Sequence, residues 1–419
     1  MAASSHNFPG TTRNSRSPIA IAIAATLCAA GLVLFPERDA VSARQSPTSG
    51  VRSVMAQTQV PAYAVDPSWP NPLPNHWILG AVAGIDVDEQ DHVWLVHRPS
   101  TLQPNETRSI WRAAPPVLEF DAEGNLLSAW GGPDAPRYEW PDLEHGILVH
   151  GDDVWLGGGG DKDAQILKFT RQGTFQLQVG HKGKGRGSND TENLGGSANM
   201  TLDPAANELY VADGYVNHRV IVFDARTGAY KRHWGAYGKR PDDSYFTQAG
   251  EKLPSPFSGA VQNENRPSQY DPAGPPPPQF RIVHSVRIAN DGLVYVCDRT
   301  NDRLQVFRKD GTFVKEAFVA KNTLGSGSVW DIAFSIDAAQ KFLIINDGTN
   351  QQIWILDRGT LQVLSAFGHA GHQAGEFYGA HVMARDAKGN LYIGETYEGK
   401  RVQKFTYRGM GPAQMPIVP

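Results

Sequence analysis

One pattern returns six times from residue 80 onward, and a chain that repeats itself in this way has few folds open to it. The unit is a short apolar stretch, an Asp/Gly/Asn turn, a strand bearing Trp or Tyr, a polar loop, then a strand of the type Val-x-x-Phe. In order, the segments are AGIDVDEQDHVWLVHR (83–98), HGILVHGDDVWLGGG (145–159) and ANMTLDPAANELYVADGY (198–215). The next three are HSVRIANDGLVYVCDR (284–299), WDIAFSIDAAQKFLIINDG (330–348) and HVMARDAKGNLYIGET (381–396). Further strands follow at Val117–Phe120, Ile166–Phe169, Val220–Phe223, Leu304–Phe307, Ile353–Leu356 and Val402–Phe405. Every strand alternates or is apolar over four to six residues, with turn formers between. A period of about 45–60 residues with four short strands per unit predicts an all-β, six-bladed β-propeller. Two stacked β-sandwiches would not keep the turn and the aromatic in phase.

The propeller is expected over residues 76–410, with 411–419 as a C-terminal tail. Segment 76–82 is placed to supply the outermost strand of blade six and close the ring, protecting sheet edges. Between blades three and four lies an insertion, 236–279, with the run Pro275–Pro278. Its length admits a lid, a partner-binding arm or mere decoration. Ahead of the propeller, Arg13 and Arg16 precede an uncharged stretch at 18–35, and Ala-Val-Ser-Ala ends at Ala43. Residues 1–43 read as a signal peptide or an uncleaved anchor, and 44–75 as a linker. An exported, periplasmic or extracellular protein follows, touching a membrane only through 18–35. The two cysteines, Cys28 and Cys297, cannot form a disulfide framework. A net charge of −4 shows no basic face for nucleic acid.

Aligning the repeats puts Ala83, His145, Ala198, His284, Trp330 and His381 in one position, heading the inner strands. Histidine takes alternate blades, 120° apart in a six-fold ring, so three imidazoles converge on the axis. With 13 histidines in 419 residues, the odds of such a trio in one column are on the order of 10⁻⁴. Three imidazoles with an open fourth position suit a catalytic zinc site. A ring of channel histidines bonded to each other or to water is the alternative. His150, His181, His369 and His372 fall outside the column and read as surface residues. A second column, four residues past the Trp/Tyr, holds Arg98, Gly159, Gly214, Arg299, Gly348 and Thr396. Its two arginines could grip a carboxylate, or form inter-blade ion pairs with Asp298 or Glu395. Tyr215 follows Gly214. Beside a cation and two guanidiniums its hydroxyl should ionise more readily and serve as a general base.

These residues carry a resemblance. The segments VHR (96–98), EHGILV (144–149), ADGYVNHRVIVF (212–223), FRIVHSV (280–286), CDRTNDRLQVF (297–307) and AHV (380–382) with GNLYIGET resemble the peptidyl-α-hydroxyglycine α-amidating lyases. That family has a six-bladed propeller related to the NHL-repeat proteins, and the likeness covers about residues 80–408. It implies zinc on His145, His284 and His381, catalytic roles for Arg98 and Tyr215, and a further active-site arginine at Arg299. The implied reaction cleaves the N–Cα bond of a carbinolamide, a small molecule or peptide with an α-hydroxy amide and a carboxylate, to an amide and glyoxylate. The family's calcium-binding aspartate after the third histidine is Val382 here, although Ile85 and Ile147 match its carbonyl ligands. Its cysteine beside the tyrosine is Val216, and no companion copper monooxygenase segment is present. Two other functions fit the residues: a metal-dependent hydrolase of lactones or esters on the same trio, and a non-catalytic propeller that binds a protein or glycan.

Overall fold

The computed structural model describes residues 58–134, 136–245 and 271–414. The expected export segment and Cys28 lie outside the described residues, as does the middle of the insertion. Six four-stranded antiparallel sheets follow one another. Blade one comprises Ala81–Val87, Val93–Arg98, Val117–Phe120 and Leu126–Trp130. Blade two is Glu144–His150, Asp153–Gly158, Gln165–Thr170 and Phe175–Gly180. Blade three is Ser197–Asp203, Glu208–Asp213, Arg219–Asp224 and Tyr230–Trp234. Blade four is Val283–Ile288, Val294–Asp298, Arg303–Phe307 and Phe313–Phe318. Blade five is Asp331–Phe334, Phe342–Asp347, Gln352–Asp357 and Val363–Phe367. Blade six is Ala380–Arg385, Leu391–Glu395, Val402–Pro412 and, outermost, Gln59–Asp66. Each inner strand packs on the next, and the sixth packs on the first, so the ring closes.

The recurring aromatic explains how the blades hold together. Each sheet has two apolar faces, and each apolar cluster spans two neighbouring blades. Trp94 joins Ile147 and Leu167 across blades one and two. Trp155 meets Ile221, Tyr210 meets Val296, and Tyr295 meets Ile345. Tyr392 closes the circuit against Val82 and Ile85 of blade one. Burying one such side chain stabilises the ring by about 1.5–3 kcal/mol.

The closing strand differs from expectation. Gln59–Asp66 pairs antiparallel with the last strand, from Gln59↔Pro412 to Asp66↔Lys404. The linker reading of 44–75 is therefore corrected over this stretch, and the propeller begins earlier than residue 76. Pro61 suited a linker, yet it sits at a register shift on an edge strand, where the missing N–H costs nothing. Segment 76–82 does not close blade six. Trp77–Ile78 pairs in parallel with Arg112–Ala113, and the chain then enters blade one at Ala81. The last strand also runs to Pro412, two residues into the expected tail. Among the described residues, no helix is long and apolar enough to cross a membrane.

Candidate metal centre

The histidine column stands where the inner-strand ladders slip. Register shifts fall at Val82/Gly84, Glu144/Ile147, Ser197/Met200, Val283/Ser285 and Ala380/Val382. Each brackets the column residue of its blade. A bulge turns one side chain out of the alternating pattern, and here it re-aims the same position in five blades. The result is a near-equilateral group. Ring centroids of His145 and His284 are 5.1 Å apart, those of His145 and His381 4.9 Å, and those of His284 and His381 5.0 Å. All three are buried, with ligand atoms within 4.8 Å of one another, so the trio could hold a metal ion.

Hydrogen-bond bookkeeping shows what these rings offer. His284 Nδ1 lies 2.8 Å from Trp330 O, and His381 Nδ1 3.1 Å from Val82 O. A carbonyl only accepts, so both Nδ1 atoms carry the proton and each Nε2 keeps a lone pair. Carbonyls in this place orient metal-ligating histidines in general. The Tyr215 hydroxyl sits 2.9 Å from His284 Nε2 and 2.7 Å from His145 Nε2. Since it donates to His284, the His145 Nε2–H must donate to it. His145 Nδ1 is then a bare acceptor, and it is buried with no partner. Burial first, then the Arg98 and Arg299 guanidiniums and, for His145 and His381, the neighbouring imidazoles, hold all three histidines well below their ordinary range. Three clustered, buried neutral imidazoles, with Nε2 of His284 and His381 free of a proton, fit a cation, and zinc accepts such donors.

Around the trio, the glycines of the second column make room. A Cβ on Gly159 would stand 3.0 Å from Tyr215 Cε2 and 3.1 Å from His145 Cδ2; one on Gly348 would meet Ala380 O at 2.2 Å. The arginines are both buried. Arg98 Nε donates to Glu144 O at 2.8 Å. Arg299 Nε donates to Ser326 O at 2.9 Å, and its guanidinium lies 3.9 Å over the Trp330 ring. Asp298 and Glu395, the carboxylates of the ion-pair alternative, are taken by Arg303 and Arg401 instead. Among the protein's own groups, burial outweighs the pull of Arg299 and Arg98 on Tyr215, and its phenol is pushed up to about 12.

The calcium site fares worse. Val382 packs in the apolar cluster with Val82 and Ile85. The next residue's carbonyl, Met383 O, faces the Arg287 guanidinium at 3.4 Å, and that guanidinium also meets Asp331. With Val382 in place of a carboxylate and Asp331 already paired with Arg287, these residues do not suit calcium. In another clustered group, Asp88, His92 and Glu119, both carboxylates are already paired with Arg171. His150, His181, His369 and His372 are exposed.

A recurring tie escaped the sequence reading. Buried Asp213 pairs with Arg219 at 2.8 Å and Asp298 with Arg303 at 2.7 Å, while Glu395 pairs with Arg401 at 3.0 Å. An acid five or six residues before an arginine, at the turn between second and third strands, was the available signal.

No family model matches the chain. NHL repeat-containing protein 3 of Mus musculus is 25% identical over 366 residues, covering 82% of this chain and 84% of that protein. The chain is a six-bladed β-propeller with sequence similarity to NHL-repeat proteins. Peptidyl-glycine alpha-amidating monooxygenase B of Xenopus laevis is 25% identical over 280 residues, 63% of this propeller chain. The match spans only 26% of that relative's length. Virginiamycin B lyase from Staphylococcus aureus superposes with a TM-score of 0.43 at 12% identity, covering 84% of this chain and 90% of that one. That likeness is too loose to carry an argument about the propeller's chemistry.

Proposed function

We propose that the propeller is a zinc-dependent carbon–nitrogen lyase acting on an α-hydroxyglycine-type carbinolamide. The observation that carries this reading is the Tyr215 hydroxyl, held against His145 and His284 inside a buried three-imidazole group, with Arg98 and Arg299 beside it. His145, His284 and His381 would hold the metal, which when bound supplies Lewis-acid polarisation and a positive charge beside Tyr215. Arg98 and Arg299 would fix the substrate carboxylate through paired N–H donors. Held ionised beside the bound cation and the two guanidiniums, the Tyr215 phenolate would take the proton of the substrate hydroxyl. The C–O bond becomes the aldehyde carbonyl of glyoxylate as the N–Cα bond breaks. The same proton then passes to the departing nitrogen, giving the amide, so atoms and charge balance.

The similarity to the amidating monooxygenases supports this reading. A second reading is a propeller that only binds a partner. Incubation with an N-acyl-α-hydroxyglycine and assay of glyoxylate separates the two. Tyr215→Phe should lower turnover by about 10²–10⁴ with bound metal unchanged. Unchanged turnover in that variant would refute the base. Hydrolysis of esters or lactones without glyoxylate release would point to a hydrolase on the same trio.

A further inference from the structure

Tyr397 directly follows Thr396, the blade-six member of the rim column, and no role has been given to it. Its φ is 50°, in the left-handed region that bulky side chains rarely enter. Backbone held in such a region marks places where surrounding contacts over-determine it. Those contacts are present. Thr396 N–H donates to Gly379 O at 2.8 Å, and Gly399 N–H donates to Thr396 O at 3.0 Å. Lys400 Nζ donates to both Glu106 carboxylate oxygens, at 3.0 and 2.8 Å, strapping the turn to the blade-one loop that follows Arg98. A Cβ on Gly379 would come within 2.8 Å of Tyr397 Cδ2.

The turn aims the ring at the site. Tyr397 stands edge-on to Trp330, with centroids 6.4 Å apart and planes at 86°. It is near enough to Arg98 and Tyr215 to act on both electrostatically. Trp330, Arg98, Arg299 and Tyr215 are all buried, whereas Tyr397 is 36% exposed. It therefore keeps part of an aromatic side chain open to solvent beside the buried machinery. Val216, exposed and next to Tyr215, adds apolar surface to the same rim.

We infer that Tyr397 is a specificity-determining residue whose ring, backed edge-on by buried Trp330, forms an aromatic wall for the N-acyl group of the substrate. The inference rests on the lyase reading for the identity of that substrate. The wall favours aromatic acyl groups over small ones by about three- to tenfold, the usual range for one aromatic pair. Tyr397→Asn deletes the ring and keeps a residue at ease in left-handed backbone. Tyr397→Phe keeps the ring.

Two measurements on the full protein test this. One compares binding of the unreactive acids N-benzoylglycine and N-acetylglycine; the other compares kcat/KM for their α-hydroxy derivatives. The unmodified protein should prefer the benzoyl compound about three- to tenfold in both. Tyr397→Asn should bring the ratio close to one, and Tyr397→Phe should preserve it. A ratio near one in the unmodified protein, no binding of either acid, or an unchanged ratio in Tyr397→Asn overturns the inference. Glyoxylate release with an unchanged ratio would leave the lyase reading standing. A benzoyl preference in binding that Tyr397→Asn abolishes, without glyoxylate from any substrate, would sink the lyase reading and keep the wall.

Discussion

Replacing Arg219 with alanine attacks the joint from which Tyr215 hangs. The guanidinium is fully buried. Its Nε donates to Asp213 Oδ2 at 2.8 Å, Nη1 to Ser188 O at 2.9 Å and also to Asp190 O, and Nη2 to Asn193 O at 2.9 Å. Asp213 in turn accepts from Gly195 N–H at 2.7 Å. The Gly195–Gly196 backbone accepts from Val216 and Tyr215 N–H groups, at 2.8 and 3.1 Å. Alanine would leave a buried carboxylate without its cation and three carbonyls without their donor. Breaking a buried pair in this way costs about 3–5 kcal/mol. Against a typical stability of about 5–15 kcal/mol, that is a large share. Urea unfolding followed by tryptophan fluorescence should show the midpoint falling at constant slope. Arg219→Lys should recover only part of the loss, because an ammonium cannot serve four acceptors at the corners of a fork. A cost below about 1 kcal/mol for Arg219→Ala, the range of an exposed ion pair, would refute the reasoning.

Asp302 is buried and its carboxyl is pushed up to about 8, chiefly by burial. The folded state then holds a proton that the unfolded chain releases near its ordinary 3.8, so this group erodes stability as pH rises through that window. Asp302→Asn keeps an oxygen to accept the Ser328 N–H; its stability relative to the unmodified protein should climb between pH 5 and pH 8, and a constant difference would contradict the assignment. Removing residues 1–66 deletes the closing strand and bares the edge of Val402–Pro412. Size-exclusion chromatography should then show association, whereas a well-behaved monomer with an unchanged melting temperature would mean that this pairing does not matter.

The ring was legible because its signals are local. In five blades the Trp or Tyr of the second strand sits close to its own turn, and counting from it fixed their phase, while in blade five Ile344 takes that place and the flanking Asp-Gly and strand spacing carry the phase. That phase also found His145, His284 and His381, which lie far apart in sequence. Gln59–Asp66 carries no such signal: its partner comes from the other end of the propeller, and Pro61 and Ala62 imitate a linker. The bulges that aim the histidines arise from backbone pairing, which residue patterns do not display. Tyr215 was legible by position, but the burial that opposes its ionisation was not, since burial depends on neighbours brought in from other blades. Tyr397 looks like any loop tyrosine until its left-handed backbone and its place beside Trp330 are seen.

The central claim is that the three convergent imidazoles form a metal centre. Metal analysis of the purified protein, beside His284→Ala, tests it most directly. The account predicts about one zinc ion per chain, lost in the variant while the sheet signal in circular dichroism persists. Less than about a tenth of an equivalent, with no recovery on adding zinc, would contradict it. So would a His284→Ala protein that keeps its full equivalent.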